Sequence, residues 1–138
     1  MSQLYQLYVY PRGSRRICCF RSFGGDLTQR DLDLFMEAIR EEVDAEAVTL
    51  YDLTVPITNV LPFIFALATA AAQTPRPRRT VIIAPPVLRR VVGFVASMLN
   101  RPHSIVATRT EGWAAAESAV YGDDEAVEKA ILAAQGSA

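Results

Sequence analysis

The chain has 138 residues, of which 51% are hydrophobic and 21% charged, a composition that suits one globular domain and excludes a disordered chain. The net charge of −1 excludes no class of partner, but the charges are segregated. Residues 1–52 hold six arginines and nine acids, residues 53–109 hold seven arginines and no acid, and residues 110–138 hold six acids and one lysine. Two interpretations stay open. Either the blocks neutralise each other on folding, or the middle block presents a basic face to an anionic partner.

Cysteine usage and hydropathy predict a cytoplasmic protein without metal, cofactor or transmembrane segment. Cys18 and Cys19 are adjacent, and neighbours in a strand cannot form an ordinary disulfide because their side chains diverge. No cysteine spacing indicates a metal site. The first residues lack a basic region followed by an apolar run, so no signal peptide is predicted. The longest uniformly apolar run, residues 60–72, is too short to span a bilayer.

The first part of the chain predicts a β-hairpin followed by a helix. Residues 3–11 and 15–22 are rich in aromatic and aliphatic residues and are separated by the turn sequence Pro-Arg-Gly-Ser. Thr28 is the expected N-cap of the helix, and Asp31 at the third helical position forms a capping box with it. Apolar residues at helical spacing define the buried stripe: Leu32, Phe35, Met36, Ile39 and Val43.

The rest of the chain alternates apolar runs with helical segments. Three runs predict buried strands: residues 47–54, 80–85 and 103–109. Four segments predict helices: residues 59–73, 86–100, 110–121 and 123–135. Asn59 and Asp123 are the expected N-caps of the first and last of these, and Gly122 divides the last two.

This order predicts an α/β fold in which residues 1–138 form a single domain. Its sheet is mixed and mainly parallel, with an N-terminal antiparallel hairpin and with helices packed on the sheet. Residues 122–138 form an extra C-terminal helix in this prediction.

Several stretches share a family pattern. SFGGDLTQRDLDLF follows the second strand, AVTLYDLT forms the next strand, and RRTVIIAPPVLRRVVGFVASML and HSIVATRTEGWAAAES supply the last two strand–helix pairs. Over residues 4–121 this pattern resembles the STAS fold of bacterial anti-sigma-factor antagonists, and most closely its SpoIIAA-like branch, which shares its architecture with the CRAL-TRIO lipid-binding domains. The resemblance implies a regulatory domain.

The chain departs from that family at one functional position. Sigma-factor antagonists carry an Asp-Ser-Ser-Gly motif at the start of the second helix, and its serine is phosphorylated by a partner kinase. Here the corresponding stretch reads VPITNVLP, so no phosphoserine is carried over. Thr58 is a weak candidate for phosphorylation, and a turn or cap hydroxyl is the plainer interpretation of it.

No arrangement of residues predicts catalysis. His103, the one histidine, lies at the start of a strand without a nucleophile motif nearby. Neither G-x-x-x-x-G-K-[ST] nor G-x-G-x-x-G is present, so the glycine-rich phosphate loops are missing. Asp52 ends a central strand, where ligand crevices form in α/β proteins, but a single carboxylate is expected to hold the following loop. We therefore predict that the protein is not an enzyme.

The helix at 59–73 lacks a charged face. Between Asp52 and Arg76 the sequence contains no charged residue. At 100° per residue the side toward the sheet and the side away from it separate clearly. The side away from the sheet consists of Phe65, Ala66, Thr69, Ala72 and Gln73. Three explanations stay open: another helix of the chain covers this side, such as the C-terminal one; a partner or second copy covers it; or it lines an apolar ligand pocket.

The helix at 86–100 carries a broad apolar arc and a narrow strip with Arg89 and Arg90. One interpretation is a solvated basic stripe on a buried helix. The other is a docking surface for an anionic partner or lipid surface. In that case Arg76, Arg78 and Arg79, on the preceding loop, would extend the patch.

The residues thus predict a non-catalytic binding or regulatory module that acts through the uncharged helical face on a protein partner or a second copy. A different class stays open, a carrier or sensor of a small apolar or lipid ligand held between the same helices and the sheet. Nucleic acid is not expected, because no aromatic platform is interleaved with the arginines. The expected contact residues in either case are Leu61, Phe65, Thr69, Arg89, Arg90 and Phe94.

Overall fold

The computed structural model describes residues 5–22, 24–26, 28–55, 57–58, 64–65, 68–69, 72, 77–99 and 103–136. Its elements in chain order are β1 (Tyr5–Arg12), β2 (Arg15–Ser22), β3 (Gly25–Asp26), α1 (Gln29–Glu42), β4 (Ala47–Asp52), β5 (Ile57–Thr58), β6 (Arg79–Ile83), α2 (Pro86–Leu99), β7 (His103–Val106), α3 (Arg109–Tyr121) and α4 (Asp124–Gly136). Inside the predicted helix 59–73, the described residues Ile64, Phe65, Ala68, Thr69 and Ala72 are helical, and we call them the 64–72 segment. The predicted N-cap Asn59 lies outside the described residues.

The main sheet has five strands in the order β1-β2-β4-β6-β7, and β4 is its central strand. The β1–β2 pair is antiparallel, and the pairs β2–β4, β4–β6 and β6–β7 are parallel. The predicted α/β class, with a mainly parallel sheet and an antiparallel N-terminal hairpin, is therefore confirmed.

Local sequence signals explain the hairpin and the first helix. Arg12 pairs with Arg15 across a two-residue loop whose first position, Gly13, has φ = 64°, a value that glycine adopts without steric cost. Thr28 caps α1 as predicted: its hydroxyl accepts a hydrogen bond from the backbone N–H of Asp31, and the Asp31 carboxylate accepts one from the backbone N–H of Thr28.

A second, two-stranded parallel sheet was not predicted. β3 pairs with β5, so that Asp26 lies beside Thr58 along the backbone. The chain enters β3 through two glycines with positive φ, Gly24 at 87° and Gly25 at 109°. The Gly-Gly-Asp sequence indicates only a turn, because a two-residue strand is too short to show any periodicity.

The sheet separates two apolar cores. Because successive strand side chains alternate between faces, the buried Cys18 packs with α1, α2 and the 64–72 segment, and the buried Cys19 packs with α3 and α4. The three connections between parallel strands thus cover one face, and the C-terminal helical pair covers the other. α3 crosses that second face as far as β1, where Trp113 meets Tyr10 edge-on at 5.0 Å between ring centroids.

Candidate functional site

The predicted contact residues that the structure describes lie on the helical layer formed by α1, α2 and the 64–72 segment. Phe65 is 61% exposed and Phe94 is 68% exposed, and Thr69, Arg89 and Arg90 are also exposed. Leu61 lies outside the described residues.

The exposure of these residues follows from helix geometry. Ile64 is buried against the sheet, so the next residue, Phe65, turns away from it. On α2, Val92 is buried and Phe94 lies on the opposite side of the helix. Val87 precedes Phe94 by two turns on the same side and is 83% exposed. We call Phe65, Val87 and Phe94 the outer apolar face.

The C-terminal helix does not cover the outer apolar face. α4 packs against α3, and its buried residues Val127 and Ile131 belong to the core on the other side of the sheet. The explanation in which this helix shields the uncharged side of the 59–73 helix is therefore wrong. The reason is topological, because the chain crosses to the opposite face of the sheet after β7 and stays there.

The loop arginines do not extend a basic patch beside Arg89 and Arg90, so that expectation is wrong for the two that are described. Arg78 donates hydrogen bonds to the carbonyl oxygens of Ala119 and Gly122 at the end of α3, where a cation stabilises the negative end of the helix dipole. Arg76 lies outside the described residues.

Arg79 is only 7% exposed and forms an ion pair with Asp124 on α4. Its guanidinium also donates to the hydroxyl of Ser104, 2.8 Å away. Part of the basic middle block is thus neutralised by the acidic C-terminal block, whereas Arg89 and Arg90 are exposed.

A cavity of about 220 Å³ lies at the junction of α3 and α4, at the N-terminal end of β6. Arg78, Arg79, Asp123 and Asp124 supply its polar lining. None of the predicted contact residues lines it, and Ala119, Gly122 and Val127 complete a lining that is mixed in character.

The C-terminal edge of the main sheet holds a buried carboxylate. Asp52 ends the central strand β4 and is 3% exposed. Its Oδ1 accepts hydrogen bonds from the backbone N–H of Thr54, at 3.0 Å, and from the Thr54 hydroxyl. Its Oδ2 lies 2.8 Å from Nε of Arg109 and 3.9 Å from Nε of Arg21. Asp52 therefore holds the following loop, as expected, and also joins two arginines.

Sequence reasoning missed the role of Arg109. The predicted strand 103–109 ends at Val106, because Thr108 caps α3 and makes Arg109 the first residue of that helix. The missed signal is the capping-box sequence Thr-x-x-Glu at 108–111. The Thr108 hydroxyl accepts a hydrogen bond from the backbone N–H of Glu111 and donates one to the Glu111 carboxylate. This cap directs Arg109 toward Asp52.

The two cysteine thiols are poor nucleophiles. Burial raises the pKa of Cys19 to about 11, and the nearby Asp52 carboxylate adds to the increase. Burial also raises the pKa of Cys18 above its ordinary value. Both thiols are therefore protonated at neutral pH, the less reactive form.

Glu111 links the two C-terminal helices and makes the stability of the fold dependent on pH. The side-chain amide of Gln135 donates a hydrogen bond to Glu111 at 2.9 Å, and this bond, together with those to Thr108, lowers the pKa of Glu111 below 4.5. A depressed carboxyl pKa stabilises the fold above the unfolded-state value, and that contribution is lost as the pH falls through the folded-state value.

We therefore expect the melting temperature to fall between pH 5 and pH 3, and to fall less steeply in Glu111→Gln. Thermal melts followed by circular dichroism across this range measure the difference. Glu128→Gln, at an exposed position of α4, is the matched control and should keep the wild-type slope. An identical slope in Glu111→Gln and wild type would contradict the assignment.

Thr58 lies in β5, beside the C-terminal edge of the main sheet, and its side chain is outside the described residues.

Within the described part of the chain, no group of three or more histidine, cysteine, aspartate or glutamate residues is arranged to hold a metal ion. None of the helices described is both long and apolar enough to cross a membrane.

Comparison with known proteins finds no matching family model, no similar curated protein and no similar solved structure. The resemblance to the STAS fold therefore stays a prediction from the residues quoted above.

Proposed function

We propose that this protein is a non-catalytic binding module of STAS-like type that acts through its outer apolar face, and that a second copy of the chain is the molecule that covers this face. The observation that carries the proposal is the exposure of Phe65 and Phe94, at 61% and 68%, on one helical layer. Large exposed apolar side chains grouped on one surface are typical of interaction sites.

The charge pattern of the helical layer favours a second copy over an unrelated partner. The exposed positions of α2 include Arg89 and Arg90 and no acid. The exposed positions of α1 include three acids, Asp33, Glu37 and Glu41, against two arginines. The 64–72 segment belongs to the connection between β4 and β6, so the layer runs from an acidic helix through a neutral one to a basic one.

Such a layer is complementary to itself. A two-fold axis that runs parallel to the 64–72 segment places α1 of one copy opposite α2 of the other and brings the two neutral segments together. Opposite charges then meet at the rim while Phe65 and Phe94 are buried in the middle, the usual arrangement of a protein interface.

The test is the native mass of the purified protein at micromolar concentration. We expect a dimer, and we expect Phe65→Glu to convert it to a folded monomer, because the new carboxylate would be buried without a partner. Leu132→Glu is the matched control, since Leu132 is 65% exposed on α4, on the other face of the sheet, and should leave the dimer intact. Raising the salt concentration should weaken the dimer through its rim charges.

A wild-type protein that is monomeric and carries no bound mass would contradict the proposal. A monomer that carries apolar material detectable in the native spectrum would instead support the carrier class. A folded Phe65→Glu variant that stays dimeric would place the interface elsewhere.

A further inference from the structure

Arg21, Asp52 and Arg109 form a cluster on the opposite side of the sheet from the outer apolar face. Strand alternation with Ile17, Cys19 and Leu50 places Arg21 and Asp52 at the C-terminal edge of the sheet, on the face that α3 and α4 cover. Arg109 joins them from the start of α3 through its contact with Asp52. The Asp52 side chain is only 5% exposed, whereas the side chains of both arginines are 40% exposed. The cluster thus joins one buried anion to two cations that reach the surface.

Among the residues that the structure describes, Asp52 meets both arginines through Nε and not through their terminal amino groups. An arginine that serves only as an ion-pair partner commonly binds a carboxylate with two nitrogens. Arg12 does so with Glu117, through Nε at 3.0 Å and Nη2 at 2.5 Å. Arg21 and Arg109 instead approach the same Asp52 oxygen through Nε. No hydrogen bond joins their terminal amino groups to another residue in the described part of the chain.

The Nε atom of Arg21 has no hydrogen-bond partner among the described residues. It is fully buried, yet at 3.9 Å it is too far from Asp52 Oδ2 for a hydrogen bond, and it has no other partner among the residues that the structure describes. An acceptor that draws the Arg21 guanidinium toward itself would occupy the terminal amino groups and not this atom.

The cluster has an excess of positive charge. Two guanidinium groups face one carboxylate, and Arg109 is the first residue of α3, where the helix dipole adds further positive potential. The neighbouring Glu111 carboxylate accepts hydrogen bonds from Thr108 and Gln135, and its negative charge is offset by a third cation, Arg89, which acts on it electrostatically. An anion is therefore the ligand that this edge favours.

We propose that Arg21 and Arg109 bind the phosphate group of a small molecule, with Asp52 as the positioning residue that holds both guanidinium groups. A tetrahedral phosphate offers enough oxygens for two planar guanidinium forks, whereas one fork already fills both oxygens of a carboxylate. The position agrees with the rule that ligands of α/β sheets bind outside the carboxyl ends of the strands. This site is separate from the dimer surface proposed above, so either proposal can fail alone.

The first test uses the wild-type protein and ¹⁵N-detected NMR of the arginine Nε groups. The probes are inorganic phosphate and glycerol 3-phosphate, added at constant ionic strength with chloride as the reference. We expect saturable shifts of Arg21 and Arg109, and none of Arg30, which is exposed on α1. Saturation by glycerol 3-phosphate at a tenfold or more lower concentration identifies a phosphate ester as the ligand, and equal saturation identifies free phosphate. The absence of a saturable shift with both probes, or equal shifts on all exposed arginines, would overturn the proposal.

The second test is a matched pair of substitutions. Arg109→Lys keeps a positive charge beside Asp52 and removes the guanidinium fork, so phosphate affinity should fall at least tenfold. Arg30→Lys makes the same change on α1 and should leave the affinity unchanged. Unchanged affinity in a folded Arg109→Lys variant would overturn the proposal. Should that variant not fold, the wild-type NMR titration decides the matter.

Discussion

Replacing Asp52 with alanine is expected to lower the free energy of unfolding by about 3 kcal/mol, near the lower end of the range for breaking a buried ion pair. The substitution removes the acceptor for both the backbone N–H and the hydroxyl of Thr54, and it leaves Arg21 and Arg109 facing each other without their shared anion. The loss is near the lower end because both arginine side chains are 40% exposed and regain some solvation.

Urea unfolding followed by circular dichroism measures this change as a shift of the midpoint at constant m-value. Asp52→Asn should be less damaging than Asp52→Ala, since its side-chain oxygen still accepts from Thr54. Asp33→Ala, at an exposed position of α1, is the control and should change stability by less than about 0.5 kcal/mol. An Asp52→Ala variant as stable as that control would show that the cluster contributes nothing to folding.

The main elements of the fold could be predicted from the sequence because their signals are local. The hairpin, the Thr28 capping box and the alternation of buried runs with amphipathic helices each depend on residues close together in the chain. The short sheet of β3 and β5 could not be predicted, because its two strands are separated by thirty residues and have only two residues each. The start of α3 was misplaced for a different reason, because Thr108 and Arg109 are compatible with both a strand and a helix.

The predictions about the candidate sites divide in the same way, into those that depend on local sequence and those that depend on contacts between distant residues. Phe65 and Ile64 are neighbours in one helix, so their directions relative to the sheet are set by local helix geometry. The exposure of Phe65 could therefore be predicted from the sequence. The destinations of Arg78 and Arg79 are not local. Their charge indicated a basic patch, but the face of the sheet that they reach depends on the packing of α3 and α4. The residues that they contact there lie 41 to 45 positions later in the chain. The pairing of Asp52 with Arg109 is likewise separated by 57 residues.

Self-association through the outer apolar face and the ion pairs that stabilise the fold are therefore expected to lie on opposite faces of the sheet. The layer with Phe65 and Phe94 exposes apolar side chains and has its charges at the surface. The layer of α3 and α4 is fixed by ion pairs and carbonyl contacts that bring the basic middle block against acidic neighbours. Because these contacts fix the layer of α3 and α4, this layer can provide a rigid support for a binding surface on the opposite face.

Replacing Gly112 with alanine is expected to lower the free energy of unfolding by about 2 kcal/mol, through overpacking of the core between α3 and β6. A Cβ atom at this position would meet Cγ1 of Ile83 at 2.4 Å and its Cδ1 at 2.6 Å. Ile83 is fully buried, so its side chain can move only against other core atoms. α3 must therefore shift away from β6, although alanine favours a helix by about 1 kcal/mol over glycine.

Gly93→Ala is the matched control, because it makes the same change inside another helix of the same layered fold. On α2 the new methyl group would meet only Cδ1 of Ile105, at 3.8 Å, which is an ordinary contact. We expect this variant to gain up to about 1 kcal/mol from helix propensity. Thermal and urea unfolding of the two variants should thus give changes of opposite sign. A Gly112→Ala variant that is as stable as Gly93→Ala would mean that α3 does not lie against β6 as closely as the structure has it.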